Sequence, residues 1–225
     1  MSSDSLLVTI AVLGGTGREG KGLAYRWAQA GYRVLIGSRS SEKAIQAASE
    51  IIGMLDGAPS VVGMSNPEAA AQADIVVLTV PYAAHVSTLE SVKDSLAGKV
   101  LVDVTVPLVP PKVTKVQMPP AGSAAQESRA ILGEGVDVAA AFHAVSYEYL
   151  LRDEPLECDV LVTGTGKRAR EEALKLVAAA GLVGWDAGPI ENSVVVEGLT
   201  SVLININKLY GSTHAGIRIT GVKKT

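Results

Sequence analysis

One cysteine, Cys158, stands among 225 residues. No intrachain disulfide can form, which excludes a stapled secreted scaffold. The neighbouring run from Leu156 to Val162 is apolar, so Cys158 is expected to pack as a small buried hydrophobe. Aromatic residues make up only 4% of the chain, with one Phe and two Trp. The core must therefore come from Ala, Val, Leu and Ile, a mix that suits strands buried on both faces under small-residue helices. An excess of one charge is also missing, with 20 Lys and Arg against 23 Asp and Glu. A net charge of -3 gives no general pull toward nucleic acid. Long apolar runs are absent too. Leu6 to Leu13 ends in glycines, and Met1 to Ser5 is polar without a basic n-region, so neither a membrane span nor a signal peptide is expected. A cytoplasmic protein with no membrane or nucleic-acid partner fits. No metal-ligand spacing, nucleophile elbow or Ser-Tyr-x-x-x-Lys arrangement occurs; Ser146-Tyr147 is followed by Leu150-Leu151.

What is present is alternation. Leu7 to Leu13 reads as a strand and runs into Gly14-Gly15-Thr16-Gly17-Arg18-Glu19-Gly20. Leu23, Ala24, Trp27 and Ala28 follow at helical spacing, with Trp27 in a packing role, and Gly31 ends that helix. Val34 to Gly37 is a second strand. Ala44, Ile45, Ala48, Ile51 and Ile52 form the core stripe of a second helix. Val61 to Met64, Ile75 to Val80, Val100 to Val104, Val136 to Phe142 and Asp159 to Val162 read as further strands, with a helical segment from Ala83 to Leu96. The stretch Val106 to Pro120 holds five of the ten prolines and reads as an irregular loop. Ala169, Ala173, Leu176, Val177 and Ala180 stripe another helix. Ser193 to Leu209 is helical in length but apolar almost all round, so it must be covered on more than one side. This pattern predicts an α/β fold: a Rossmann-type doubly wound parallel sheet with a small C-terminal helical annex.

Gly15, Gly17 and Gly20 form G-x-G-x-x-G between a strand and a helix, the context a dinucleotide site requires. The first glycine is expected to make the tight turn, the second to admit the pyrophosphate, and the third to let helix and strand pack. At the end of the second strand an NAD enzyme places an acid for the ribose. Here stand Ser38-Arg39-Ser40-Ser41-Glu42-Lys43. Arg39 offers a fork to a phosphate and Lys43 a point charge, so NADP(H) is preferred over NAD(H). Ser40 or Ser41 should cap the following helix.

Further residues carry a resemblance. They are Ala11 to Gly17 with Gly20 to Ala24, Gly37-Ser38-Arg39 with Lys43, and Ala73 to Pro81. Ala141-Phe142-His143, Asp186 to Ile190 with Asn192-Ser193, Glu197 to Thr200 and Gly216-Ile217 complete the set. Over nearly its whole length the chain resembles the NADPH-dependent F420 reductases, or F420H2:NADP oxidoreductases. Tyr82 stands where the archaeal members commonly carry tryptophan. The resemblance implies an NADP-dependent oxidoreductase with coenzyme F420 as co-substrate. Thr16, Gly17, Arg18 and Glu19 would hold the pyrophosphate, and Ser38, Arg39 and Lys43 the adenosine phosphate. Val80 and Pro81 would border the ribose and nicotinamide. Val106, His143, Val145, Ser146, Tyr147 and Ala215 would approach the deazaflavin. Residues 1–150 would form the dinucleotide-binding domain, and 151–225 a smaller part completing the deazaflavin site and the interface of a homodimer.

Direct hydride exchange between two stacked rings asks little of side chains, so no acid–base residue is expected beyond His143. His85 and His214 read as a helix-face and a surface residue, and Asp186 as a brace for the Gly188-Pro189 turn. Lys112, Lys115, Arg218, Lys223 and Lys224 could form a positive rim for the anionic F420 tail. Two alternatives stay open. One is an NADP(H)-dependent reductase of a flavin or a small carbonyl or imine compound; the lack of any proton-transfer constellation speaks against carbonyl reduction, where an alkoxide must be protonated. The other is a non-catalytic NADP(H)-binding sensor.

Overall fold

The computed structural model describes residues 8–56, 60–152 and 157–222. Leu7, Leu156, Lys223 and Lys224, which the sequence places in a strand, an apolar run and a basic rim, lie outside the described residues. Among the described residues the strands are β1 (Thr9–Leu13), β2 (Arg33–Ser38), β3 (Val61–Ser65), β4 (Ile75–Leu78), β5 (Val100–Asp103), β6 (Asp137–Ala140), β7 (Asp159–Gly164) and β8 (Val183–Pro189). They form one sheet in the order β3-β2-β1-β4-β5-β6-β7-β8. The first six are parallel, in the 3-2-1-4-5-6 order of a doubly wound nucleotide-binding sheet. β7 turns antiparallel to β6, and β8 runs parallel to β7. The sheet therefore continues across residue 150.

β1, β4 and β5 are buried at every position, which is why their sequences are continuous apolar runs. Successive residues still divide between the two faces: Ile10 and Val12 on one, Ala11 and Leu13 on the other. The first face is covered by α1 (Arg18–Gln29), α2 (Ser41–Met54) and α7 (Lys167–Ala179). The second is covered by α3 (Asn66–Gln72), α4 (His85–Val92) and α5 (Ala124–Leu132). The short α6 (Tyr147–Leu150) packs on α1, and α8 (Ser193–Tyr210) lies against β7 and α5. No described helix is long and apolar enough to cross a membrane.

Several sequence expectations need correction. Ile45 and Ile52 do not join the core; they are 55% and 41% exposed, while Ala47 takes a core position. A Cβ on Gly63 of β3 would collide with the α2 backbone at Ala44, so the approach is close enough that alanines meet the sheet. α5 and β8 carry no periodicity that the sequence reading recognises. α5 is delimited by its ends, with Ser123 accepting the Gln126 N–H and Gly133 at φ +75°. Cys158 is half-buried rather than buried, beside Gly216, and burial pushes its thiol up to about 11. The loop between β5 and α5 is irregular, as its prolines require.

Candidate functional site

β1 and β4 are neighbours whose connections leave toward opposite sides of the sheet. A crevice opens at their C-terminal ends, where doubly wound sheets bind ligands. The tight turn after β1 lies one residue earlier than expected. Gly14, not Gly15, is left-handed at φ +76°, and the N–H groups of both donate to Gly37 O at 3.0 and 3.1 Å. Gly20 faces the Thr79 hydroxyl so closely that a Cβ there would collide, and that hydroxyl donates to Leu13 O at 2.9 Å. Gly17 is different. It is the N-cap of α1 with no side-chain cap, and a Cβ there would meet only Gly14 O, at 3.5 Å. α2, α3 and α5 are capped by Ser40, Ser65 and Ser123. The first amides of α1 thus stay open toward the crevice, an arrangement suited to an anion.

All fifteen residues named from the sequence line one cleft of about 1010 Å³. At one end Ser38 is buried while Arg39 and Lys43 are exposed. Neither cation has a hydrogen-bond or ion-pair partner among the described residues. In the middle, Arg18 donates to the Tyr147 hydroxyl at 3.1 Å and lies 5.4 Å from the centre of its ring, joining the two walls. Glu19 is half-buried in the same wall, and burial pushes its carboxyl up to about 8. It is therefore largely uncharged at neutral pH and does not repel an anion there.

At the other end Val80, Pro81 and Val106 face His143, Val145, Ser146 and Ala215. His143 is only 5% exposed, and neither ring nitrogen has a hydrogen-bond partner among the described residues. Burial lowers its pKa to about 4, against a weaker opposite pull from Asp103, so the imidazole is neutral. The C-terminal segment reaches this end because Asp159 N donates to Ile217 O at 2.8 Å. Asn207 pins Ala215 N at 2.9 Å, and Ser146 donates to Thr213 O at 3.1 Å. Thr105, Thr200, Leu203, Ile204 and Asn207 also line the cleft. The sequence reading missed them: four lie on α8, whose approach to the cleft comes only from tertiary packing and so is not legible in the sequence, whereas Thr105 follows β5. Asn66 was missed as well; its Oδ1 accepts the Gly14 N–H at 3.4 Å. Lys112 and Lys115 are exposed and do not line the cleft, although their loop does through Leu108, Pro110 and Val113.

Behind this end lies a cluster that corrects a further expectation. His85, read as a plain helix-face residue, is fully buried at the start of α4 and carries polar partners. Its Nε2 lies 2.8 Å from Asp103 Oδ2 and its Nδ1 2.8 Å from Glu127 Oε2. Ser128 donates to Asp103 Oδ2 at 2.6 Å, and Thr105 N to Asp103 Oδ1 at 2.9 Å. Burial pulls the His85 pKa down, but the hydrogen bond and charge of Asp103, then those of Glu127, outweigh it and raise it. Burial likewise opposes Asp103 ionisation, and His85, Ser128 and Thr105 together hold its carboxyl below the usual range. His85 is thus bracketed by two carboxyl groups, a constellation invisible in the sequence. Tyr82 stacks on His85, with ring centres 5.8 Å apart, and lines the cleft in front of it. Asp186 braces its turn as expected, accepting the Gly188 N–H at 2.9 Å, and His214 is exposed.

The chain is similar to several known proteins. Residues 9–107 match the family model described as NADP oxidoreductase, coenzyme F420-dependent. The F420-dependent NADP reductase of Methanothermobacter thermautotrophicus is 42% identical, over 96% of this chain and 97% of that one. The protein of the same name from Methanocaldococcus jannaschii is 37% identical, over 95% and 99%. A solved structure from Arthrobacter sp. FB24 shares the fold with a TM-score of 0.76 at 24% identity, over 95% of this chain and 98% of that one. With its fingerprint, its open cation pair and its full-length likeness to these relatives, the chain belongs to the family of F420-dependent NADP reductases.

Proposed function

We propose that the protein transfers a hydride directly between NADP(H) and the deazaflavin coenzyme F420. One observation carries this reading: a single continuous cleft has unpaired cations at one end and a neutral, unpartnered imidazole at the other. The residues fit the dinucleotide. Arg39 and Lys43 hold the adenosine phosphate, with Ser38 beside them. Thr16, Gly17 and Arg18 and the open amides of α1 hold the pyrophosphate, with the neutral Glu19 beside them. Val80 and Pro81 border the nicotinamide ribose. Val106, Val145, Ser146, Tyr147 and Ala215 approach the second ring, and His143 hydrogen-bonds its polar edge. When bound, NADP(H) supplies the hydride. The protein aligns the two rings, and the apolar wall of Val104, Leu203 and Ile204 keeps water from the reacting carbon. His85 and Asp103 do not line the cleft, so neither touches the ligands directly.

Mixing the protein with NADPH and oxidised F420 tests this; the deazaflavin absorbance should fall as NADPH is consumed. An unchanged F420 spectrum while FMN or an imine consumes NADPH would transfer the reading to the alternative reductase. The cofactor preference has its own test. Arg39→Ala should weaken NADP(H) binding by about 1.5–3 kcal/mol, the worth of a charge-assisted contact. NAD(H) affinity should barely move, and equal losses for both in calorimetric titration would refute the preference.

A homodimer in the cytoplasm belongs to the same proposal. On α8, Val196, Ser201 and Leu203 are buried, while Val195, Val202 and Leu209 are 65%, 46% and 70% exposed. Val109 and Val116 of the neighbouring loop are exposed as well, and Val116 packs beside Gly198. A patch of this kind on a globular protein marks an interface, and a two-fold pair is the simplest way to cover it. Light scattering at micromolar concentration should give twice the chain mass, and Val202→Asp should give monomers. A monomeric wild type would remove the dimer.

A further inference from the structure

Phe142 is the one non-glycine residue at positive φ among the described residues, at +71°. This left-handed region is costly for an aromatic side chain and is retained only where surrounding packing enforces it. Strand alternation shows what the inversion does. In β6 and the residue after it, Val138 and Ala140 face the α4/α5 side of the sheet, while Ala139 and Ala141 face the α1/α7 side. Continued alternation would send Phe142 to the α4/α5 side and His143 to the α1/α7 side. Instead Phe142 joins Ala141 in the α1/α7 core, and His143 lines the cleft. We propose that Phe142 is a positioning residue whose left-handed backbone turns its ring into the α1/α7 core and so delivers the His143 imidazole to the cleft.

The surroundings show what enforces the conformation. Phe142 is 1% exposed and meets Trp27 edge-on, ring centres 5.9 Å apart at 76°. Trp27 is itself fully buried and tied by Nε1 to Leu176 O of α7 at 2.9 Å. The reversal is closed by Val145 N donating to Phe142 O at 3.1 Å. On its far side the Thr200 hydroxyl of α8 donates to His143 O at 2.7 Å. Phe142 is thus held in the core by α1 and α7, while α8 holds the backbone of His143. The ring nitrogens of His143 have no hydrogen-bond partner among the described residues, so no polar contact of the ring itself fixes its place.

A pair of substitutions separates backbone from packing. Phe142→Ala and Phe142→Gly both delete the ring, but only Ala must still bear the left-handed strain. The first readout is the His143 ring titration by NMR, which the buried setting holds at about 4. In Phe142→Ala it should move toward the ordinary value of about 6.5 as the imidazole leaves its site, and in Phe142→Gly it should stay low. The second is kinetic. Phe142→Ala should lose about tenfold or more in kcat/KM for F420, and Phe142→Gly only about threefold, with NADPH dissociation constants unchanged in both. If the Ala chain does not fold, Phe142→Leu takes its place as the strained variant. A purely structural role for the ring predicts that Gly is at least as damaging as Ala. That order, or an unmoved His143 titration in the strained variant, overturns the proposal. The kinetic arm rests on the function proposed above, whereas the titration does not. A wild type inactive toward F420 would therefore count against that function and leave the positioning role tested by NMR.

Discussion

Gly17→Val is expected to raise the dissociation constant for NADPH by about a hundredfold or more, which is about 2.7 kcal/mol, while the chain stays folded. Both halves of this expectation follow from geometry. Gly17 has φ -73° and ψ 163°, an extended conformation that β-branched residues adopt readily. A Cβ there makes an ordinary contact with Gly14 O at 3.5 Å and nothing closer, so the fold has room for it. The added methyl groups would stand over the open amides of α1, where the pyrophosphate must lie. Gly20 and Gly14 behave differently, because a Cβ on Gly20 collides with Thr79 and Gly14 is left-handed, so substitution there disturbs the fold itself. Circular dichroism and fluorescence titration of Gly17→Val together decide the matter. NADPH affinity within threefold of wild type would show that the dinucleotide does not cross this turn.

The largest expected change in stability is at His85. His85→Leu leaves Asp103 buried without its cation, and breaking a buried pair in this way costs about 3–5 kcal/mol. The double variant His85→Leu/Asp103→Val should recover part of that loss, because it removes the stranded charge as well. The pH dependence has a defined sign. The folded pKa of His85 is raised, so its contribution is fully present below the unfolded value of about 6.5 and is lost as pH rises through the folded value. That of Asp103 is lowered, so its contribution is present above about 3.9 and is lost as pH falls through the folded value. Urea unfolding of wild type should therefore lose stability on the alkaline side, and His85→Leu should lose the His85 share of that limb. Glu197 adds to the same slope. Burial pushes its carboxyl up to about 8 although it accepts N–H bonds from Ala124 and Ala125 at 2.7 and 3.1 Å. A loss below about 1 kcal/mol in His85→Leu would mean that the pair is not ionised in the folded protein.

The parts of this protein that the sequence determines by itself are those whose physics is local. The βα turn from Leu13 to Gly20, the Arg39 and Lys43 cations after β2 and the almost wholly apolar α8 each declare themselves within a few residues. Backbone turns, helix caps and amphipathic stripes are set by neighbours in the chain. The same holds for the irregular loop after β5, where prolines deny the ladder its donors. Tertiary structure alone decided which side of α2 meets the sheet, because the close approach of β3 selects Ala47 over Ile45. It decided that His85 is buried: Asp103 and Glu127 lie 18 and 42 residues away, and no spacing rule joins them. It also decided that Phe142 turns into the α1/α7 core while His143 lines the cleft, since continued alternation from β6 would send Phe142 to the other face. In each case the deciding energy is desolvation or packing against an element distant in sequence. That energy exists only once the sheet has brought the partners together.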